Sequence, residues 1–282
     1  MTDTIKNAPK AGGGLPYAEV IGDPISHSKS PMIHNFWLEK LQIEAEYRKT
    51  HVTAEGLAAY FLQRRADPDW LGCNVTIPHK IAVMDFTDDP GGVRARIGAM
   101  NTIACETGRP LVGTNTDAGG FLQPLIREKW RGEHAVLIGA GGATRAILFA
   151  LATFGVPRIT IVARNIAKGQ DLLDHAGVKG DVIGLGDPLP AADLLVNSSP
   201  LGMEGQPPLE IDLAPLVPGA TVYDIVYAPL ETPLLAQARA LGLKTIDGLE
   251  MLIGQAALAF DIFFDAEAPR EHDAELRALL TA

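Results

Sequence analysis

The segment HAVLIGAGGATRAILFALATF (residues 134–154) decides the fold of this chain. Its opening apolar run is typical of a buried strand, and its last eleven residues (144–154) carry the apolar pattern of a helix. Between them, Gly139 permits a tight turn and Gly141 lets the helix N-terminus approach a pyrophosphate. The alternative, a turn that binds nothing, is disfavoured by the flanking strand and helix. The segment predicts a dinucleotide-binding unit, although Thr144 occupies the third glycine position of the usual fingerprint.

The rest of the chain alternates strands with helices, which predicts an α/β protein with a doubly wound parallel sheet in its second half. Strands are predicted there at 134–139, 158–163, 181–184, 193–197, 220–226 and 244–246. In the first half, strands are predicted at 17–22, 45–52 and 70–76, with a hairpin formed by 101–105 and 110–114. A length of 282 residues suits two domains, and the boundary is predicted near Asp117.

Composition limits the partners and the compartment. A net charge of -10 argues against nucleic acid or an anionic membrane as the main partner. No apolar run is long enough for a membrane span, and residues 1–14 lack the hydrophobic stretch of a signal peptide, so we interpret them as a loose tail. Two cysteines, Cys73 and Cys105, do not make a disulfide framework. They favour reduced thiols in a cytoplasmic protein.

The end of the second strand of the glycine-rich unit indicates the cofactor. An NAD site usually carries an acidic residue there, whereas an arginine suits the 2′-phosphate of NADP. The stretch IVARNIAKGQ (161–170) has no acid but contains Arg164, followed by Asn165 and Lys168. This pattern favours NADP over the alternative of a solvated surface charge.

Four polar residues in the first half are candidates for substrate chemistry. Ser26 and Ser28 are two apart in a loop, so both hydroxyls could hold a carboxylate, although capping of backbone groups is the commoner use of such serines. Lys80 is predicted in the first turn of a helix after a strand, as a general acid/base or an ordinary exposed lysine. Asp117 follows another strand, either as a partner of Lys80 or as a turn residue. The histidines show no metal-ligand spacing, so no metal is predicted.

Eight motifs together resemble the shikimate dehydrogenase family, and the resemblance extends from about residue 17 to 264. In order they are GDPISHSKSPMIHN (22–35), GCNVTIPHK (72–80), GAMNT (98–102), GTNTDAGGF (113–121), GAGGATRA (139–146), NSSPLGM (197–203), DIVYAPLETPLL (224–235) and DGLEMLIGQAALAF (247–260). The family reduces 3-dehydroshikimate to shikimate with NADPH, in the biosynthesis of chorismate and the aromatic amino acids.

The resemblance implies a fold and a set of roles. It implies a substrate domain of residues 1–116 completed by 248–282, a Rossmann-type NADP domain of residues 117–247, and an active site in the cleft between them. Lys80 and Asp117 match the catalytic pair, and Ser26 and Ser28 match the serines that hold the substrate carboxylate. The other matches contact the substrate (Asn74, Thr76, Asn101, Tyr227 and Gln255) or the cofactor (Gly139, Ala140, Gly141, Gly142, Ala143, Arg164, Asn165 and Lys168).

Some positions depart from the family pattern. The cofactor clamp, often Asn-Arg-Thr, is Ala163-Arg164-Asn165 here, and Ser198 stands where alanine is common, with no consequence that the sequence reveals. Quinate or amino-shikimate could replace shikimate, although Ser28 and Arg164 argue against the quinate enzymes, which often carry threonine and favour NAD. A catalytically inactive NADP- or shikimate-binding module is a further alternative. The sequence does not determine the oligomeric state, so a homodimer stays open.

Overall fold

The computed structural model describes residues 13–106 and 109–282. The predicted N-terminal tail lies outside the described residues except for Gly13 and Gly14. The chain divides into two compact units, one comprising Met1–Thr116 with Gln255–Ala282 and the other Asp117–Gly254. The chain therefore leaves the first unit after Thr116 and returns to it at Gln255, within a helix.

The first unit contains a five-stranded mixed sheet in the order β2-β1-β3-β4-β5. Its strands are β1 (Tyr17–Gly22), β2 (Glu46–His51), β3 (Trp70–Val75), β4 (Thr102–Ala104) and β5 (Val112–Thr114). The first three run parallel, and β4 is antiparallel to both β3 and β5. The predicted hairpin is confirmed as β4 and β5, while residues 107–108 of its connection lie outside the described residues.

The helices of the first unit are α1 (Ser30–Leu41), α2 (Leu57–Arg65), α3 (Val93–Arg96) and α9 (Asp273–Thr281), with 3₁₀ turns at Ala82–Phe86 and Arg270–His272. The prediction that Lys80 lies in the first turn of a helix is wrong, because residues 77–81 form a turn and the 3₁₀ helix begins at Ala82. The reason is a tertiary contact: the carbonyl of Lys80 accepts the N–H of Met100 at 2.8 Å.

The second unit contains a six-stranded sheet in the order β11-β10-β9-β6-β7-β8, and every pairing is parallel. Its strands are β6 (His134–Ile138), β7 (Arg158–Ala163), β8 (Gly180–Gly184), β9 (Leu194–Asn197), β10 (Thr221–Asp224) and β11 (Lys244–Ile246). Its helices are α4 (Asp117–Arg127), α5 (Gly142–Phe154), α6 (Ile166–Ala176) and α7 (Pro233–Ala240), and α8 (Gly248–Phe264) belongs to both units.

This sheet confirms the predicted doubly wound α/β fold. The strand order reverses between β6 and β9, where ligands of such sheets bind beyond the carboxyl ends of the strands. The strands read as continuous apolar runs because helices cover both faces, and Val136, Leu195 and Val222 are fully buried in one core cluster. Among the described residues, no helix has both the length and the apolar character to cross a bilayer.

Candidate functional site

The loop between β1 and α1 carries the two candidate serines. The Ser26 side chain is exposed and Ser28 is half-buried. Ser28 Oγ accepts the N–H of Ser30 at 3.3 Å, at the start of α1. Lys49 Nζ donates to the Ser26 carbonyl at 2.6 Å and so ties the loop to β2. The bond from the Ser30 N–H uses only a lone pair of Ser28 Oγ. The Ser28 O–H therefore remains able to donate to a carboxylate.

The end of β3 carries Asn74, Thr76 and Lys80. Thr76 and Lys80 are half-buried, and the Thr76 backbone is held by its N–H bond to the Ile21 carbonyl at 2.9 Å. His79 lies between them but is buried, with Nε2 2.6 Å from the Val52 carbonyl oxygen. This contact gives the buried His79 ring a backbone partner within the first unit.

Asn74 is buried at the centre of a polar network. Its Oδ1 accepts the hydroxyl of Tyr47 at 2.6 Å. Its amide nitrogen donates to Thr102 Oγ1 at 2.9 Å and to the Asn101 carbonyl at 3.2 Å. Because both amide hydrogens are engaged, Asn74 has only a lone pair of Oδ1 left for a ligand, so a hydroxyl that meets it there must donate.

Asn101 extends the same network to α8. Its Nδ2 donates to Thr116 Oγ1 at 2.9 Å and to Gln255 Oε1 at 3.4 Å. Its Oδ1 accepts the Thr116 N–H at 2.7 Å and the Thr102 hydroxyl at 3.0 Å. The structure therefore brings three of the predicted substrate residues, Asn74, Asn101 and Gln255, into one connected group.

The glycine-rich turn of the second unit is braced by hydroxyl groups. Gly139 adopts a φ of 118°, in the region that favours glycine. The Gly141 N–H donates to Thr144 Oγ1 at 3.1 Å, and Ser198 Oγ donates to the Ile138 carbonyl at 2.8 Å. The two hydroxyls lie 2.8 Å apart, so Thr144 must donate to Ser198, whose proton is already used. Thr144, at the position of the third glycine, therefore stabilises the turn through hydrogen bonds, one of which requires the Ser198 hydroxyl.

The same turn leaves room for a ligand. A methyl group built on Gly141 would meet no atom within 4 Å. Arg164 and Lys168 follow β7, the strand that pairs with β6. Both side chains are exposed, and neither forms an ion pair with another described residue. Asn165 Oδ1 accepts the Lys168 N–H at 3.1 Å and so caps α6. An open glycine turn beside two exposed cations fits a dinucleotide that carries an additional phosphate.

A second buried cluster joins the ends of β9 and β10. Asn197 Nδ2 donates to Asp224 Oδ1 at 2.9 Å, and Asp224 Oδ2 accepts the Thr232 hydroxyl at 2.8 Å. Burial raises the pKa of the Asp224 carboxyl, and the hydrogen bonds from Thr232, Val226 and Asn197 oppose this rise. The cluster holds both ends of the loop that carries Tyr227.

Asp117 and Tyr227 are the candidate residues that remain. Asp117 is buried at the first position of α4, and Tyr227 is half-buried, with its pKa raised by burial. Lys80 belongs to the first unit and Asp117 to the second, so their pairing stays a prediction. Within residues 13–106 and 109–282, no group of three or more metal-binding side chains could hold an ion.

Sequence reasoning missed Tyr47, Asn197, Asp224 and the partnership of Thr144 with Ser198. Asp224 ends an apolar strand, and an acidic residue in that place could have indicated a buried cluster. Tyr47 gives no such signal, because its partner is 27 residues away along the chain and on another strand.

Comparison with known proteins gives a consistent set of relatives. Residues 20–103 match the model of the shikimate dehydrogenase substrate binding domain, and residues 248–275 match that of the shikimate 5'-dehydrogenase C-terminal domain. The NADP(+) shikimate dehydrogenase of Sphingopyxis alaskensis is 58% identical over 95% of this chain and 97% of its own length.

Solved structures agree with the sequence relatives. The shikimate 5-dehydrogenase of Thermus thermophilus, in complex with NADP(H) and shikimate, has a TM-score of 0.84 and 32% identity, over 94% of this chain and 100% of its own. A quinate dehydrogenase from Corynebacterium glutamicum, in complex with NAD, has a TM-score of 0.85 and 28% identity, over 94% of this chain and 99% of its own.

Proposed function

The chain belongs to the shikimate dehydrogenase family, and we propose that it catalyses the reversible NADP-dependent reduction of 3-dehydroshikimate to shikimate, in chorismate and aromatic amino acid biosynthesis. The observation that carries the proposal is the 58% identity to an NADP(+) shikimate dehydrogenase over 95% of the chain. The open glycine turn and the polar network of the first unit supply groups of the required chemistry. Cys73 and Cys105 are buried, and no disulfide is formed among the described residues, which is in keeping with a cytoplasmic location that we also propose.

We assign the substrate to the first unit and the cofactor to the second. The substrate domain would comprise residues 1–116 and 248–282, and the NADP domain residues 117–247, as the resemblance implies. The contact of Gln255 with Asn101 supports the return of α8 to the first unit.

The substrate carboxylate is assigned to Ser26 and Ser28, because their loop presents two hydroxyl donors. The ring hydroxyls are assigned to Asn74, Thr76, Asn101 and Gln255. Asn74 and Asn101 are rigidly held by their buried hydrogen bonds, so they can discriminate between hydroxyl positions. We also assign Tyr227 to the surroundings of the substrate carboxylate, as the resemblance implies.

The cofactor is assigned to the glycine turn and to the residues after β7. The backbone of Gly139, Ala140, Gly141, Gly142 and Ala143 would hold the pyrophosphate at the N-terminus of α5. Arg164 would pair with the 2′-phosphate, with Lys168 adding a weaker attraction. Asn165 contributes by capping α6, and this bond fixes the segment that carries both cations.

The reaction moves a hydride and a proton. When bound, NADP(H) supplies or accepts the hydride. An alcohol that loses hydride must also lose its hydroxyl proton, and the reverse reaction requires a proton at the carbonyl oxygen. We assign this proton transfer to Lys80 Nζ and the orientation of the reacting hydroxyl to the Asp117 carboxylate.

The test is the absorbance of reduced nicotinamide when the purified chain is mixed with each pairing of shikimate or quinate with NADP or NAD. We expect the highest kcat/KM with shikimate and NADP. Faster turnover of quinate with NAD would instead favour a quinate dehydrogenase, the activity named for one structural neighbour. Binding of shikimate or NADP without turnover of any pairing would indicate an inactive binding module.

A further inference from the structure

Tyr47 occupies an unexpected place in the first unit. It lies on the edge strand β2, yet its hydroxyl reaches Asn74 on β3, and β1 runs between these two strands. Ala18, the β1 residue beside Tyr47, is buried with it and offers only a methyl group, which leaves space for the ring to cross. A phenylalanine would fill the same space, so packing alone does not explain the hydroxyl.

Two consecutive residues of α1 hold Tyr47 in position. The Asn35 side chain accepts the Tyr47 N–H at 2.8 Å and donates to the Tyr47 carbonyl at 2.9 Å. The His34 ring stacks on the Tyr47 ring, with 3.9 Å between centroids and 4° between planes. Among the residues that the structure describes, neither ring nitrogen of His34 has a hydrogen-bond partner, so the His34 ring serves as a flat packing surface. The side chain of Tyr47 is therefore fixed at its backbone and along its ring.

The Tyr47 hydroxyl points its proton at the oxygen of Asn74, at 2.6 Å. The Asn74 amide then donates to Thr102 Oγ1 and to the Asn101 carbonyl. Thr102 in turn donates to Asn101 Oδ1 at 3.0 Å. The Tyr47 hydroxyl fixes these directions. Because it donates to Asn74 Oδ1, the Asn74 amide hydrogens must face Thr102 and Asn101.

We propose that Tyr47 is a positioning residue for substrate binding, whose hydroxyl fixes the side-chain amide of Asn74 so that Asn74 and Asn101 meet the ring hydroxyls of the substrate. The inference rests on the proposed function. Tyr47 itself does not contact the substrate in this proposal, and its effect passes through Asn74.

The experiment compares Tyr47→Phe with the wild type. We expect KM and the cofactor-free Kd for shikimate to rise about three- to tenfold, the effect of one lost hydrogen bond. The kcat and the KM for NADP should change less than about twofold, a split that general destabilisation would not produce. In an Asn74→Ala background, Tyr47→Phe should change KM no further, because the group that it positions is gone.

Tyr60→Phe is the matched control. Tyr60 is also a buried tyrosine of the first unit, but its hydroxyl donates to Glu19 Oε1 at 2.8 Å, outside the network. Its removal should leave the KM for shikimate unchanged. An unchanged KM for shikimate in Tyr47→Phe, or effects on KM that add to those of Asn74→Ala, would overturn the inference. The proposed function would still stand if the wild type were active. A wild type that neither binds nor turns over shikimate would overturn both.

Discussion

At the scale of single residues, two hydroxyl-bearing side chains occupy positions where the family pattern has a residue without a hydroxyl. Thr144 adds a side chain where the fingerprint has glycine, and Ser198 adds a hydroxyl where alanine is common. The 2.8 Å contact between them shows that the two departures are one feature. The sequence displayed both residues, but it could not show that positions 54 apart share a hydrogen bond.

Lys80 is the residue whose loss should most affect turnover. We expect Lys80→Ala to lower kcat about a hundredfold or more, the range for a lost general acid/base, with a smaller change in the KM for shikimate. The check is steady-state kinetics with shikimate and NADP on folded protein. Lys179→Ala, an exposed lysine of the second unit, is the control and should retain activity. Near-normal kcat in Lys80→Ala would remove Lys80 from the mechanism.

Arg164 should determine the choice of cofactor. A guanidinium can form a bidentate pair with the 2′-phosphate of NADP, which NAD lacks. We expect Arg164→Asp to lower kcat/KM for NADP about ten- to a hundredfold and to leave that for NAD unchanged or improved. Both cofactors should be measured at one salt concentration, with the exposed Arg131→Asp as a charge-matched control. A variant that still prefers NADP would show that Arg164 is only a surface charge.

At the scale of elements, the loop between β1 and α1 combines two uses of serine. We expect Ser26→Ala and Ser28→Ala each to raise the KM for shikimate about ten- to a hundredfold, since each removes a hydrogen bond to a carboxylate. The KM for NADP should stay constant, as should all constants of Thr281→Ala, whose hydroxyl bonds within α9.

Stability separates the two serine variants. Only Ser28 accepts a backbone N–H at the start of α1, so Ser28→Ala alone should lose about 0.5–1.5 kcal/mol of unfolding free energy, the range for one hydrogen bond. Denaturant unfolding measures this difference. A loss of NADP affinity in either variant would contradict the assignment of the loop to the substrate.

The elements themselves were largely predictable, because their apolar patterns are local. The strands from β6 to β7 and the helix between them follow from the runs HAVLI and RITIVA and from the glycine turn. The turn at Lys80 was not predictable, since Pro78 suggests a helix start and the competing bond comes from Met100, 20 residues further on. The sequence motifs identify the candidate site residues, whereas their hydrogen-bond partners can be identified only from the three-dimensional structure.

At the scale of the whole molecule, burial of His34 couples stability to pH. Burial lowers the pKa of His34 from 6.5 to about 3, so the folded chain binds a proton there less readily than the unfolded chain. The stability of the fold with a neutral, buried His34 is therefore fully present above pH 6.5. It is lost as pH falls from 6.5 towards 3, by about 1.4 kcal/mol of unfolding free energy per pH unit.

His34→Phe should remove this slope, since phenylalanine keeps a ring to stack on Tyr47 but has no proton to bind. The measurement is the unfolding free energy of both proteins between about pH 5 and pH 7.5, a range around the ordinary pKa of histidine. The exposed His175→Phe is the control and should keep the wild-type slope. Parallel pH curves for wild type and His34→Phe would show that His34 is not buried in neutral form.

The return of the chain to its first unit also determines an order of events during synthesis. Residues 117–254 form a continuous unit, which can fold as soon as it leaves the ribosome. The first unit must wait until residues 255–282 have been synthesised, because Phe260 and Phe263 pack around His34, and Lys29 bonds to the carbonyl of Leu280. A nascent chain that stops before residue 255 would thus lack the aromatic side chains that cover His34, and exposed apolar surface of this kind is what chaperones bind.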